Sequence, residues 1–235
     1  IFITIKLINN VQSTYNKIKK MMSKKTSVIM PCTILPDWWL NKYSKKNIKQ
    51  IIPIKNIIGM TMWISGIMKN NYVTIKHTQR GYPLKEIYKS NKKNADKLRQ
   101  MIRKKSKSPS IKNIYSEVYL KVINSFAFNL IAIKHNQNNL SLAKNKKAIE
   151  EITVIMNEFD KLVSKKGMPI TQSIKSRIKQ TLSSKKHTMS MLTDLKNKKT
   201  IEIKNQWKSL LKIDKSFKNK TLYSKKLYNS ASKLI

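Results

Sequence analysis

The chain of 235 residues holds a single cysteine, four glycines, six prolines and only 11 Asp plus Glu. One cysteine, Cys32, excludes an intrachain disulfide and a cysteine-based zinc site. So few glycines and prolines disfavour a turn-rich, many-stranded fold and favour long helices. The scarcity of acids removes most of the material for paired-carboxylate chemistry. A two-metal site would have to draw on Asp37, Glu86, Asp96 and Glu117, whose spacing follows no pattern. His77, His135 and His187 stand far apart, without HExxH or HxH spacing. Gly59 and Gly66 lie in neither a GKS nor a GxGxxG context, so no phosphate loop is visible. These absences lead to the expectation of a chain that is not an enzyme and uses no metal and no cofactor.

What is abundant is positive charge: 50 Lys plus Arg, for a formal net charge of +39. A compact chain of this length has a radius of roughly 22 Å. At a Debye length of about 8 Å its self-repulsion is roughly 40 kcal/mol, against roughly 5 for an expanded chain. That difference exceeds the ~5–15 kcal/mol of ordinary domain stability. A polyanionic partner is the expectation, and nucleic acid is the abundant one. Hydrophobic residues still make up 40% of the chain, enough for a core and too many for a disordered basic tail.

The hydrophobic pattern predicts an α+β protein, predominantly helical. A small antiparallel sheet is expected in the N-terminal half, and a helical C-terminal half with basic extensions. Thr61–Ile64 and Tyr72–Ile75 read as strands joined by a turn at 69–71. Leu84, Ile87, Tyr88, Ala95, Leu98 and Ile102 suggest a helix of imperfect period. Three clearer stripes follow: from Ile111 to Ile133, from Ile149 to Val163 with a stop at Gly167, and from Ile170 to Leu182. A shorter one carries Ile203, Trp207 and Leu210. The organisation expected is a mixed α/β RNA-binding region over 1–110, a helical region over 111–217 and a basic extension over 218–235. In 28–43, Pro31 and Pro36 oppose a helix across them, and Asp37 suits the cap of a short helix carrying Trp38 and Trp39.

Lysine pairs recur along the whole chain, which suits sequence-independent phosphate contact over several surfaces. The densest cationic segment contains Arg99, Arg103, Lys104, Lys105 and Lys107. A second cluster, Lys76, His77, Arg80 and Tyr82, places an imidazole, a guanidinium and a phenol beside Gly81, a set suited to stacking on unpaired bases. Arg177, Lys185, Lys186, Lys225 and Lys226 complete the expected RNA contacts.

Among the basic residues only Arg80, Arg99, Arg103 and Arg177 are arginine, and Ile, Lys and Asn dominate the chain. These three amino acids have AT-rich codons. The chain begins at Ile1, which suggests a cut precursor or a non-standard start codon. In character this composition resembles the ribosomal proteins encoded in AT-rich protist mitochondrial genomes of the ciliate kind. The resemblance implies a structural rRNA-binding protein of the mitochondrial ribosome, made and retained in the mitochondrial matrix. It implies ribosomal RNA and neighbouring ribosomal proteins as partners, with no small-molecule substrate and no stable membrane insertion. The residues alone leave two other readings open. One is an inner-membrane accessory subunit of a respiratory complex, resting on the apolar run from Ile57 to Met68, which is shorter than the ~20 residues a span requires. The other is an organellar RNA-processing or splicing factor.

Overall fold

The computed structural model describes residues 1–4, 17–18, 20–23, 25–31, 54–69, 72–183, 187–211 and 221–234. The chain forms two compact units, Ile1–Val118 and Tyr119–Ile235. The fold class is the one the sequence suggests: predominantly helical α+β, with its strands in the N-terminal half.

In the first unit, β1 (Val28–Pro31) pairs in parallel with β2 (Ile57–Met60), in register Val28↔Ile57. On its other side β2 pairs antiparallel with β5 (Leu84–Glu86). Val28, Ile29, Met30 and all four residues of β2 are buried, as expected of short continuous apolar strands covered on both faces. Ile29, Ile58, Met60, Leu84 and Ala95 form the core, with Leu98 and Ile102 packed against it from α1 (Lys92–Arg103). A separate antiparallel hairpin joins β3 (Trp63–Lys69) to β4 (Tyr72–Gly81). The expected hairpin is present with other bounds: β3 starts at Trp63 and runs to Lys69, β4 continues to Gly81, and residues 70–71 of the expected turn lie outside the described residues. The helix expected from Leu84 onwards does not start there: those residues make β5 and a 3₁₀ turn, Lys89–Asn91, before α1. Pairing with β2, a partner distant in sequence, overrides the local period.

The second unit is helical. The 22-residue α2 (Ile114–His135) runs into it, buried on nearly all sides. Around it are α3 (Asn139–Lys144), α4 (Lys146–Lys165), α5 (Ile174–Leu182), α6 (Ser190–Lys196), α7 (Ile203–Leu210) and α8 (Leu222–Ser232). Side-chain caps start three of them. Asn138 accepts from Leu140 and Ser141, Asn145 from Ala148, and Ser173 from Ser176. Gly167, at φ 71°, ends α4 in the left-handed region. Ile152, Ile155, Met156 and Phe159 of α4 are fully buried. Phe126 and Trp207 stack with ring centroids 5.6 Å apart, and Trp207 stacks in turn on Tyr228 at 4.9 Å. This aromatic column ties α2, α7 and α8 together. Glu158 of α4 caps α8, accepting from the Ser224 amide at 2.9 Å and its hydroxyl at 2.5 Å.

Among the described residues no helix is long and apolar enough to cross a membrane. The run from Ile57 to Met68 that suggested one lies in β2, β3 and the two residues between them.

Candidate active site

From Tyr119 to Ile133 every residue of α2 is buried except Lys121 and Ser125. These two are one helical turn apart, so they open at the same face. Asn129 continues the line a further turn on, and Asn124 lies beside it. A helix otherwise packed with Val122, Phe126, Leu130 and similar side chains therefore carries one polar stripe.

Three helices meet that stripe. From α5, Arg177 donates Nε to Asn124 Oδ1 at 3.1 Å and Nη2 to Thr181 Oγ1 at 2.9 Å. Thr181 Oγ1 is itself 3.1 Å from Asn124 Oδ1. From the start of α6, the Met191 amide donates to Asn129 Oδ1 at 2.9 Å. From α7, Gln206 donates Nε2 to Ser125 Oγ at 3.1 Å. Asn129 Nδ2 donates to the Ser125 carbonyl at 2.7 Å. Gln206 is completely buried, and its Oε1 has no hydrogen-bond partner. It is a buried acceptor at the edge of the polar stripe.

Burial pushes the Lys121 ammonium down to about 8, and the nearby Arg177 guanidinium adds to the shift. A lysine in this range is still protonated at neutral pH but gives up its proton far more readily than an exposed one. Strongly shifted groups beside a polar opening are candidates for chemistry. Sequence reasoning missed Lys121, Ser125 and Asn129. It searched for His, Cys and carboxylate patterns and read this helix only for its apolar face. The signal available was a polar residue every fourth position, from 121 to 129, inside an apolar run.

The structure places the expected RNA-contact residues in several different settings. Arg80 pairs with the buried Glu117 and lies 5.6 Å over the Trp63 ring, and Trp63 Nε1 also donates to Glu117 at 3.4 Å. The Tyr82 amide donates to the Lys107 carbonyl at 2.8 Å, and its own carbonyl accepts from Ser108. Arg99 bonds Asp96 at 2.6 Å and the Leu84 carbonyl at 2.9 Å, while Arg103 bonds the Ser108 carbonyl at 2.8 Å. Arg177 joins the α2 stripe. Lys104, Lys105, Lys107, Lys225 and Lys226 are exposed. Lys76 and His77 lie in β4. Lys185, Lys186, Cys32, Asp37, Trp38 and Trp39 lie outside the described residues.

Two glycines are filled by protein. A Cβ on Gly59 would lie 2.4 Å from Ile114, and one on Gly81, at φ 56°, would lie 2.2 Å from the Lys107 carbonyl oxygen. Each lets another part of the chain approach closely. Among the described residues no group of three His, Cys, Asp or Glu is placed to hold a metal ion.

No curated protein matches the sequence. The fold is similar to that of a D-mandelate dehydrogenase solved with NADH and anilino(oxo)acetate, at TM-score 0.76 and 18% identity over 95% of this chain and 72% of that one. It is similar to a 2-dehydropantoate 2-reductase from Geobacter metallireducens GS-15, at TM-score 0.78 and 13% identity over 96% and 74%. It is also similar to a 2-dehydropantoate 2-reductase from Methylococcus capsulatus, at TM-score 0.74 and 13% identity over 98% and 72%. The family described as "Ketopantoate reductase PanE/ApbA C terminal" matches residues 113–234, more than half of the chain. These findings overturn the ribosomal expectation, and with it rRNA and ribosomal proteins as partners and the view that the chain is not an enzyme. The membrane-subunit and RNA-processing readings gain no support either. The reason is physical: Lys, Ile and Asn content reflects codon supply and surface charge, whereas the fold resides in core packing that composition does not report. The matched segment begins at the foot of α2 and takes in the polar stripe with every helix that meets it, and on that match the chain belongs to the ketopantoate reductase family.

Proposed function

We propose that this chain carries the 2-oxo-acid site of an oxidoreductase of ketopantoate reductase type, with Lys121 as proton donor. The observation that carries the reading is Lys121 itself, placed at the opening of the α2 stripe and held down to about 8. Reducing a ketone to an alcohol leaves negative charge on the carbonyl oxygen, and a proton must reach that atom. An ammonium with a lowered pKa stabilises the developing charge and then delivers the proton. Ser125, fixed by Gln206 and Asn129, supplies a hydroxyl one turn away. The cationic pair of Lys121 and Arg177 favours an anionic substrate. The similar D-mandelate dehydrogenase and 2-dehydropantoate reductases support a 2-oxo acid as the class.

A nicotinamide dinucleotide, when bound, supplies hydride in such a reduction. The residues of this sequence do not fit its pyrophosphate: no GxGxxG turn is present, and Gly59 and Gly81 face protein atoms. The chemistry assigned to this chain is therefore binding the 2-oxo acid and delivering the proton.

Calorimetric titration with ketopantoate and with phenylglyoxylate at pH 7 tests the reading without a hydride donor. Saturable binding by the wild type is expected, weakened at least about tenfold in Lys121→Met and lost progressively above about pH 8. Failure of the wild type to bind any 2-oxo acid would sink it. The wealth of Ile, Lys and Asn, whose codons are AT-rich, supports an organellar, mitochondrial location, and recovery of the protein from another cell fraction would contradict that part.

A further inference from the structure

Gln206 of α7 is completely buried, and its side chain makes one hydrogen bond, from Nε2 to Ser125 Oγ at 3.1 Å. Asn129 adds a second, from Nδ2 to the same Oγ at 3.3 Å. The Asn129 amide is kept from turning round because its Oδ1 accepts from the Met191 amide at 2.9 Å. A serine hydroxyl has two lone pairs and one hydrogen. Both lone pairs of Ser125 are thus taken by N–H donors, and among the described residues none accepts its hydrogen. Ser125 is one of the two residues between Tyr119 and Ile133 that stay partly exposed, so that hydrogen is left for the opening of the stripe. The next residue on each helix holds the arrangement: Phe126 and Trp207 stack at 5.6 Å, which sets the spacing of α2 and α7 at this level.

We propose that Gln206 is a positioning residue of this site: with Asn129 it fills the acceptor side of Ser125, so that the hydroxyl donates to an oxygen of the bound ligand. This rests on the 2-oxo-acid reading above and names the residue that orients one of its donors. The ketone and carboxylate oxygens of a 2-oxo acid at neutral pH are acceptors only. A hydroxyl already committed to donating matches such an oxygen without turning, so little rotor freedom is lost on binding. Were the lone pairs of Ser125 free, the hydroxyl would serve as donor or acceptor alike, and part of the binding energy would go into fixing it. Gln206 touches no ligand in this scheme; it acts through Ser125.

The test is a double-mutant cycle read by calorimetric binding of phenylglyoxylate at pH 7. Ser125→Ala should weaken binding about tenfold, and Gln206→Met, which keeps the volume and removes the donor, at least about threefold. In the Ser125→Ala background, Gln206→Met should change binding less than about 1.5-fold, because its effect passes through Ser125. Binding that is unchanged or tighter in Gln206→Met, or an equal loss in both backgrounds, overturns the proposal and leaves the function of the site standing. Infrared spectroscopy of bound, carbon-13-labelled phenylglyoxylate covers the case in which Gln206→Met does not fold. Its ketone or carboxylate stretch should shift between the wild type and Ser125→Ala, and identical spectra overturn the proposal. A wild type that binds neither phenylglyoxylate nor ketopantoate overturns the functional reading as well.

Discussion

Lys121 carries opposite consequences for stability and for function. Its folded pKa of about 8 lies below the ordinary lysine value of 10.5, so folding favours the neutral form. Between these two values the unfolded chain binds more protons than the folded one, and this group's contribution to stability rises with pH. Proton delivery moves the other way and fades above about 8. Lys121→Met should therefore melt higher than the wild type at pH 7 while losing ligand binding, and a lower melting temperature would refute the assignment of burial as the main cause. Residue-scale chemistry was the least legible part of the sequence. Lysine is so common here that one more inside α2 attracts no notice. What distinguishes Lys121 is its half-buried place in an otherwise buried helix, beside Arg177 of α5, and packing between helices is something no local pattern announces. Arg80 shows the same limit. It reads as a phosphate contact, yet Glu117, far along the chain, claims it.

At the scale of elements, legibility followed length. The stripes that became α2, α4 and α5 were plain, because about two and a half turns or more of regular apolar spacing have few competing readings. The short α3 and α6, of 6 and 7 residues, were not, since one or two turns carry too few positions to establish a period. The parallel pair β1–β2 was also hidden. Strand β1 has four residues and ends on Pro31, and its partner begins at Ile57. The last helix was expected only as a basic segment, yet α8 buries Ser224, Leu227 and Ala231. An isolated helix of 11 residues is marginal in water, so its stability comes from docking and from the Glu158 cap. Glu158→Ala should cost about 1–2 kcal/mol and speed amide hydrogen exchange across 222–232 more than elsewhere. Uniform acceleration along the chain would show that the cap is not local to α8.

For the whole molecule, +39 remains the dominant physical fact, although it names no partner. The lysines lie mostly outward: in α1, α4 and α8 the apolar face is largely buried and the lysines are exposed. The charge therefore acts as a general destabilising field over a fold held by its cores. Screening should relieve it. The melting temperature is expected to rise by more than about 10 °C between ~10 mM and ~0.5 M salt, because a few kcal/mol moves a domain of this size by several degrees. A melting temperature independent of salt would mean that bound counterions already neutralise the surface.

The polar stripe on α2 is also a ruler. From Lys121 to Asn129 the helix rises about 12 Å, whereas a small 2-oxo acid is roughly 6 Å long. One such molecule can reach Lys121 and Ser125 but not the far end. Asn129 is correspondingly occupied at both ends of its amide, by the Met191 amide and by Ser125. The site thus has a built-in length limit: the first turn is left for ligand, the second is closed by the protein itself, and substrates with long extensions beyond the ketone would have to leave the stripe sideways.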